Sequence, residues 1–157
     1  MKYLTLLALF ASSTSAFPDF DSFHAHCQVM VDVEKDCATA LKDLSEYVKS
    51  GRDEASPAGK YALFQEDSTM VWATRLTANG KYTDDVQWQK LDDGSATKCT
   101  IVGKSRSQSL SYYDYNVNFC NIYNPLRGTG FDGDITSSTK VSNCNFPASS
   151  ASTCDRY

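Results

Sequence analysis

Apolar residues recur at steps of three or four between residues 23 and 49, which is the spacing of one face of an α-helix. The charged residues of this segment fall between those positions. Ser22 is suited to cap the start, and Lys49 with Gly51 is typical of a helix end. The pattern therefore predicts one long N-terminal helix. Its apolar positions are Phe23, Cys27, Met30, Val33, Cys37, Leu41, Leu44 and Val48.

From residue 61 the pattern changes to short runs that are rich in β-branched and aromatic residues. Asn79-Gly80 and Asp93-Gly94 are strong two-residue hairpin signals between such runs. These features predict a four- to five-stranded antiparallel meander that follows the helix. The predicted strands cover residues 61–65, 69–77, 82–91, 97–104 and 112–122.

The register of this sheet follows from placing the apolar residues on one face, because a shift of one residue moves them all to the other face. The predicted pairs are Val71 with Trp88, Ala73 with Val86, Arg75 with Asp84, Thr77 with Tyr82, Trp88 with Cys99 and Val86 with Ile101. In the last strand we expect the apolar face to carry the set Tyr113, Tyr115, Val117 and Phe119. The alternative would bury Asp114, Asn116 and Asn118, and each unpartnered polar group costs about 1–3 kcal/mol.

Six cysteines, an even number, predict three disulfides in a secreted chain. A helix that included both Cys27 and Cys37 would hold them about 15 Å apart, whereas a disulfide needs Cα atoms within roughly 7 Å. The expected partners are Cys37 or Cys27 for Cys99, and Cys144 or Cys154 for Cys120. A helix that began near Met30 would make a Cys27–Cys37 pair possible again.

Residues 1–16 have the layout of a secretory signal peptide, with one lysine, a short apolar run and small residues before the expected cleavage site. The apolar run is too short for a permanent membrane anchor. Its removal leaves residues 17–157 as a single domain, in which an irregular tail, 124–157, is pinned by disulfides. We therefore expect a secreted, extracellular protein.

The net charge and the distribution of basic residues limit the kinds of partner that we expect for this protein. The formal net charge is -4, and the basic residues are scattered, whereas nucleic-acid binding needs clustered Lys and Arg. We therefore expect no nucleic-acid partner, and no later segment reads as a membrane span. His24 and His26 lie two residues apart and would point in different directions on a helix, so neither a metal nor a cofactor is predicted.

Catalytic signals are weak in this sequence. The predicted sheet carries no histidine, and the chain has no Gly-x-Ser-x-Gly motif. Acid–base catalysis through histidine and serine-hydrolase chemistry are therefore not favoured. We interpret the chain as non-enzymatic, and its oligomeric state is left open.

One long helix followed by an antiparallel meander is an α+β arrangement, and in outline it resembles the cystatin-like architecture, in which a curved sheet grips a helix. The inhibitory signature Gln-x-Val-x-Gly of cystatins is missing from the first hairpin, where the chain has Thr77-Ala78-Asn79-Gly80-Lys81. The resemblance therefore implies a fold and no function.

Charged and aromatic side chains of the predicted sheet are the candidates for ligand binding. Arg75 and Asp84 would form an ion pair on the apolar face of the sheet. This pair is either a cross-strand salt bridge near the end of the sheet or a polar anchor at the mouth of a ligand cavity. Tyr and Trp beside Asn and Asp can bind sugars or protein partners. The predicted ligand-binding residues are Trp72, Arg75, Tyr82, Asp84, Trp88 and Tyr115.

Three functions remain compatible with these features. The first is a secreted, disulfide-stabilised binding module that recognises an extracellular protein or glycan. The second is an extracellular carrier of a small apolar ligand, held between helix and sheet near Trp88, Tyr82 and Tyr115. The third is a small secreted hydrolase that uses Asp84 or Asp85.

Overall fold

The computed structural model of the 157-residue chain describes residues 15–51, 60–91, 95–130, 140–145 and 154–155. Within these ranges, six strands form one antiparallel sheet and two helices pack on one of its faces. The elements are β1 (His26–Val33), α1 (Cys37–Ser50), β2 (Lys60–Glu66), β3 (Met70–Leu76), β4 (Thr83–Leu91), β5 (Cys99–Ser107), α2 (Val117–Gly128) and β6 (Lys140–Ser142).

The prediction of one long N-terminal helix is wrong, because its first third is strand β1. Alternate residues of β1 are buried against the helices, and they are Cys27, Val29, Val31 and Val33. The apolar residues of this segment fit the two-residue period of a strand as well as the spacing of a helix, and β-branched valines favour the strand. The valines are thus a signal for a strand, although the apolar spacing of this segment fits both periods.

The second half of the predicted helix is real and forms α1. Asp36 caps its start, since the carboxylate Oδ1 accepts a hydrogen bond of 2.9 Å from the backbone N–H of Thr39. Gly51 ends it in the left-handed conformation (φ 57°), with its N–H donating to the carbonyl of Val48. The predicted end is thus confirmed, while the start lies 14 residues later than expected (23 against 37).

The strand order is β2-β3-β4-β5-β1-β6, so the four-stranded meander β2 to β5 is confirmed and β1 adds to its far edge. The β3–β4 register is also confirmed, with Val71 opposite Trp88. The predicted β4–β5 register is wrong by four residues, because Trp88 lies opposite Gly103. The connection runs from residue 92 to residue 98 and is longer than the predicted two-residue turn, of which Asp93-Gly94 lies outside the described residues.

The prediction of a strand over 112–122 is wrong as well, because α2 occupies its second half. The buried apolar residues of α2 have helical spacing, and they are Phe119, Ile122, Tyr123 and Leu126. Pro125 lacks the N–H that would bind the carbonyl of Asn121, and the hydroxyl of Tyr61 donates to that carbonyl instead at 2.8 Å. A contact from the sheet thus makes the proline tolerable inside α2.

The middle of the sheet is closed tightly by α2. Trp88 is fully buried, and its ring Nε1 donates to the carbonyl of Ile122 at 3.2 Å. A Cβ atom on Gly103, directly across from Trp88, would lie 2.2 Å from Cγ2 of Ile122. Glycine is therefore required where α2 approaches β5.

Three disulfides join distant parts of the chain, and their pairs are Cys27–Cys144, Cys37–Cys99 and Cys120–Cys154. The partners found for Cys99 and Cys120 are among those expected. The geometric reason given for Cys27 was wrong, because Cys27 lies on β1 rather than on a helix. The C-terminal segment is also less irregular than expected, since α2 extends to Gly128 and β6 pairs with β1.

The predicted fold class, an α+β fold with one long N-terminal helix on a four- to five-stranded meander and a cystatin-like outline, is therefore wrong. The first regular element is a strand, and it lies inside the sheet between β5 and β6. The two helices are short, with 14 residues in α1 and 12 in α2. An antiparallel sheet and disulfides are the parts of the prediction that hold.

Candidate functional site

Two loops meet at one end of the sheet, where β3 turns into β4 and β5 leaves the sheet. The β3–β4 turn is closed by a 2.9 Å hydrogen bond from the N–H of Thr77 to the carbonyl of Tyr82, with Gly80 at φ 68°. The chain reverses where Asn79-Gly80 predicts, but the loop is longer than the predicted two residues, since the N–H of Gly80 donates to the carbonyl of Thr77 at 2.8 Å. The loop after β5 is fixed beside it, because Gln108 donates its N–H to the carbonyl of Thr83 at 3.0 Å.

The backbone that leads into α2 adopts an uncommon conformation. Tyr115 (φ 48°) and Asn116 (φ 70°) are consecutive non-glycine residues in the left-handed region. Such residues cost on the order of 1–3 kcal/mol each and cluster at functional sites, where the surrounding structure holds them in place. The resulting bend leaves the ring of Tyr115 exposed and 6.0 Å from the ring of Tyr113.

A cavity of about 290 Å³ opens between these loops and the start of α2. We call it the tyrosine cavity. Its walls carry exposed apolar and aromatic side chains, and its deepest lining residues are two buried carboxylates. The lining residues are Thr77, Tyr82, Asp84, Ser107, Ser109, Leu110, Ser111, Tyr113, Asp114, Tyr115 and Val117.

The first buried carboxylate, Asp84, is fully engaged. Ser107 Oγ donates to its Oδ1 at 2.7 Å, and Asn121 Nδ2 donates to its Oδ2 at 2.9 Å. The buried guanidinium of Arg75 lies 3.9 Å from Oδ2 and supplies the opposite charge. Because Arg75 and Asp84 are directly opposite on β3 and β4, the predicted cross-strand pair is confirmed.

A chain of hydrogen bonds runs from Asp84 to the second carboxylate, Asp114. Asn121 Nδ2 also donates to Ser105 Oγ at 3.1 Å, and Ser105 Oγ donates to Asn118 Oδ1 at 2.6 Å. Asn118 then donates both its Nδ2 (2.7 Å) and its backbone N–H (3.0 Å) to Asp114 Oδ1. The two carboxylates are thus held by a single buried polar network.

Asp114 differs from Asp84 in its electrostatics. Burial raises the pKa of Asp114 above its usual value, and the negative charge of Asp84 raises it further. The hydrogen bonds from Asn118 and the charge of His26 act in the opposite direction and are outweighed. Asp114 is therefore the group of the cavity whose negative charge is least compensated by the protein.

The structure brings together some of the predicted ligand-binding residues and separates others. Tyr82, Asp84 and Tyr115 line the tyrosine cavity, and Arg75 lies behind Asp84. Trp88 is instead in the closed core, with no exposed surface.

Trp72 lies on the opposite face of the sheet. Its ring contacts Phe17 (centroids 5.5 Å apart) and Phe64 (4.6 Å), and its Nε1 donates to Asp85 Oδ1 at 3.1 Å. Residues before β1 therefore cover this tryptophan. Asp85 points to this face as well, because neighbouring residues of a strand alternate between faces.

Sequence reasoning missed most of the buried polar network. Asp114 and Asn118 were assigned to the solvent face of a strand, because burying them without partners is unfavourable. The structure buries both and satisfies them through one another and through Ser105. The available signal was the spacing Asp114, Asn118, Asn121, which places three polar residues on one side of a helix start.

Both histidines contact neighbouring side chains or rings of the described structure. His24 Nδ1 lies 2.8 Å from Asp21, which also accepts a hydrogen bond from Arg106 at 2.7 Å. The ring of His26 stacks on Phe20 at 4.4 Å. No group of three or more His, Cys, Asp or Glu side chains in the described ranges could hold a metal ion.

A larger groove of about 440 Å³ lies between α1 and strands β2 to β4. Its carboxylate Glu66 accepts hydrogen bonds from Lys49 and Ser45, which lower the pKa of Glu66. No aromatic ring is among its described lining residues. Because Glu66 and Glu46 are each paired with a lysine of the groove and the groove offers no ring to a ligand, we place the candidate site at the tyrosine cavity.

Comparison with known proteins gives no independent guide to function: no protein-family model and no curated protein matches this chain. None of the helices in the described residues has the length and apolar character needed to cross a membrane. The disulfides indicate folding in an oxidising, extracellular-type environment.

Proposed function

We propose that this protein is a secreted, non-enzymatic binding module that recognises a carbohydrate in the tyrosine cavity. The observation that carries the proposal is the combination of three exposed tyrosine rings with buried carboxylates and serine hydroxyls in one concave site. Sugar rings have apolar C–H faces that pack on aromatic rings, and their hydroxyl groups donate hydrogen bonds to carboxylates. Both kinds of contact are available within this one cavity.

The size and shape of the site support a glycan over a protein partner. A volume of about 290 Å³ lies at the lower end of small-ligand pockets, roughly 300–1,000 Å³. A stable protein interface needs roughly 800 Å² of surface on each partner and is usually flatter. One or two sugar residues of a longer glycan fit such a site better than a protein surface does.

The alternative of an apolar-ligand carrier has less support. The space between α2 and the sheet at Trp88 is filled by Trp88 and Ile122. An apolar ligand in the tyrosine cavity would place apolar surface against polar groups, the carboxylates and the serine hydroxyls, without offering them hydrogen bonds or charge.

The hydrolase alternative also has less support. Asp84 and Asp85 project to opposite faces of the sheet and cannot act on one substrate together. Asp84 is occupied by Ser107, Asn121 and Arg75, so a nucleophilic or proton-transfer role would require breaking a buried network.

Export of the protein is part of the proposal. The disulfides favour an oxidising compartment, and residues 1–16 have the composition of a signal peptide. Intact mass measurement of protein collected from the medium would test this. A mass that lacks residues 1–16 and six hydrogens is expected, and free thiols or an uncleaved chain would contradict it.

Binding is tested by screening the protein against immobilised oligosaccharides and measuring hits by calorimetry. Tyr82→Ala should weaken binding about five- to thirtyfold, because a desolvated aromatic contact contributes on the order of 1–2 kcal/mol. Tyr112→Ala is the matched control, since Tyr112 is also an exposed tyrosine but is not among the lining residues of the cavity. A screen without saccharide binding, or equal affinities for the two variants, would contradict the proposal.

A further inference from the structure

The charged residues that line the tyrosine cavity have one sign. Two carboxylates, Asp84 and Asp114, are among its described lining residues, and no Lys, Arg or His side chain is. The two groups are 2 % and 4 % exposed, so solvent screens them poorly. The cavity therefore presents a negative potential to whatever enters it.

Only one of the two charges has a cationic partner. Asp84 is paired with Arg75 at 3.9 Å. For Asp114, no ion pair within 4.0 Å is found in the part of the chain that the structure describes, and its hydrogen-bond donors belong to the neutral Asn118. Those bonds all reach Oδ1. An isolated buried charge is costly unless it is paired, so Asp114 lacks what Asp84 has.

The walls of the cavity are suited to a cation as well. Tyrosine rings attract a cation over their faces, with about 0.5–2 kcal/mol for each contact, depending on desolvation. Tyr113 and Tyr115 lie side by side in the segment that contains Asp114, and Tyr82 lies across the cavity. A cationic group at Asp114 would therefore be surrounded by groups that favour positive charge.

We propose that the carbohydrate bound in this cavity carries a protonated primary amine, as in a hexosamine without an N-acetyl group, and that its ammonium group pairs with Asp114. This inference rests on the proposed function and narrows its ligand class. The sugar ring packs on the tyrosine walls, and the ammonium group supplies to Asp114 the partner that Arg75 supplies to Asp84. A neutral hexose offers only hydroxyl donors, and an N-acetylated hexosamine replaces the cation by a neutral, bulkier amide.

The test is calorimetric titration of the full secreted chain at neutral pH with three oligosaccharides of equal length. They are oligomers of glucosamine, of N-acetylglucosamine and of glucose. We expect the glucosamine oligomer to bind at least about tenfold more tightly than either neutral oligomer, since a charge-assisted contact is stronger than a neutral one. Equal binding of the three, or preference for a neutral oligomer, would overturn this inference and leave the proposed function standing. Binding of none of them, together with an empty oligosaccharide screen, would overturn both.

Variants locate the preference at Asp114. Asp114→Asn keeps an acceptor oxygen for Asn118 and removes the charge, so the preference for the amine should fall to less than about threefold while neutral binding persists. Asp19→Asn removes one exposed carboxylate outside the cavity and is the control for net charge. A preference that survives Asp114→Asn, or that Asp19→Asn reduces equally, would overturn the assignment. If Asp114→Asn fails to fold, the titration of the wild-type protein with the three oligosaccharides still tests the preference for the amine.

Discussion

The same three elements, β4, β5 and α2, build two regions of opposite character. At the middle of the sheet, α2 packs on the strands through Trp88, Gly103 and Ile122, and the side chains of Trp88 and Ile122 have no exposed surface. Four residues away on each element, the same face carries the set Asp84, Ser107 and Asn118. There the elements hold buried hydrogen-bonding groups beside an open cavity.

The comparison shows that the middle region is suited to stabilise the fold and that the end region is suited to bind a ligand, although the same elements build both. The middle region buries apolar surface and one glycine-dependent contact, which contribute to the free energy of folding. The end region buries two carboxylates, of which Asp114 has a raised pKa and no cationic partner in the described structure. A site can hold such a group in a fixed position because the rigid region next to it supplies the stability.

The largest effect is expected from breaking the middle region. Trp88→Ala should lower the free energy of unfolding by about 3–5 kcal/mol, because it removes a fully buried ring and the hydrogen bond to Ile122. Urea unfolding monitored by circular dichroism measures this. Trp88→Phe keeps most of the volume and should lose considerably less. Equal losses for the two variants would show that the packing at this position is not as described.

A smaller effect is expected where the backbone of β5 approaches α2. Gly103→Ala should cost about 1–3 kcal/mol, because the new Cβ meets Cγ2 of Ile122 at 2.2 Å. In an Ile122→Ala background the same change should cost less, since the obstructing atom is gone. Urea unfolding of the four proteins gives the coupling energy. Strict additivity would mean that Ile122 is not what excludes a side chain at residue 103.

The smallest effect on stability is expected at the cavity, and it depends on pH. The pKa of Asp114 is raised in the folded state, so folded Asp114 holds its proton to a higher pH than unfolded Asp114 does. Its contribution to stability is therefore full below the unfolded pKa, near 3.8, and is lost as pH rises through the folded pKa. Ionisation of Asp114 as the pH rises is therefore less favourable in the folded protein than in the unfolded chain.

Asp114→Asn should therefore become more stable relative to the wild type as pH rises from 3 to 7, although it loses the amine preference. Thermal unfolding of both proteins across this range measures the difference. Asp84 and His26, which act on Asp114, are present in both proteins. A difference that stays constant with pH, or that changes in the other direction, would contradict the raised pKa.

Local signals in the sequence were reliable where neighbouring residues alone decide the structure. The Asn79-Gly80 turn and the Gly51 end of α1 depend on backbone conformations that few residues adopt, and both were predicted. The β3–β4 register follows from that short turn. The β4–β5 register failed because a longer connection leaves the pairing to side-chain packing across the sheet.

The candidate site was predictable in part for the same reason. Arg75 and Asp84 lie on strands whose register the first hairpin fixes, and Tyr82 lies in the loop between those strands, so their proximity followed from the sequence. Asp114 and Asn118 did not follow, because their burial is favourable only when Ser105 and Asn121 complete the network. Those partners come from a different strand and from the next turn of α2.

The sequence by itself determined an antiparallel sheet, the position of the Asn79-Gly80 hairpin, the end of α1 and the even set of cysteines. These properties arise from the conformational preferences and chemistry of single residues and close neighbours. Only the tertiary structure decided that 26–33 is a strand and 117–128 a helix, because apolar residues in both segments fit two periods. The surface against which each segment packs selects between strand and helix. The tyrosine cavity forms only when 26–33 is a strand and 117–128 is a helix.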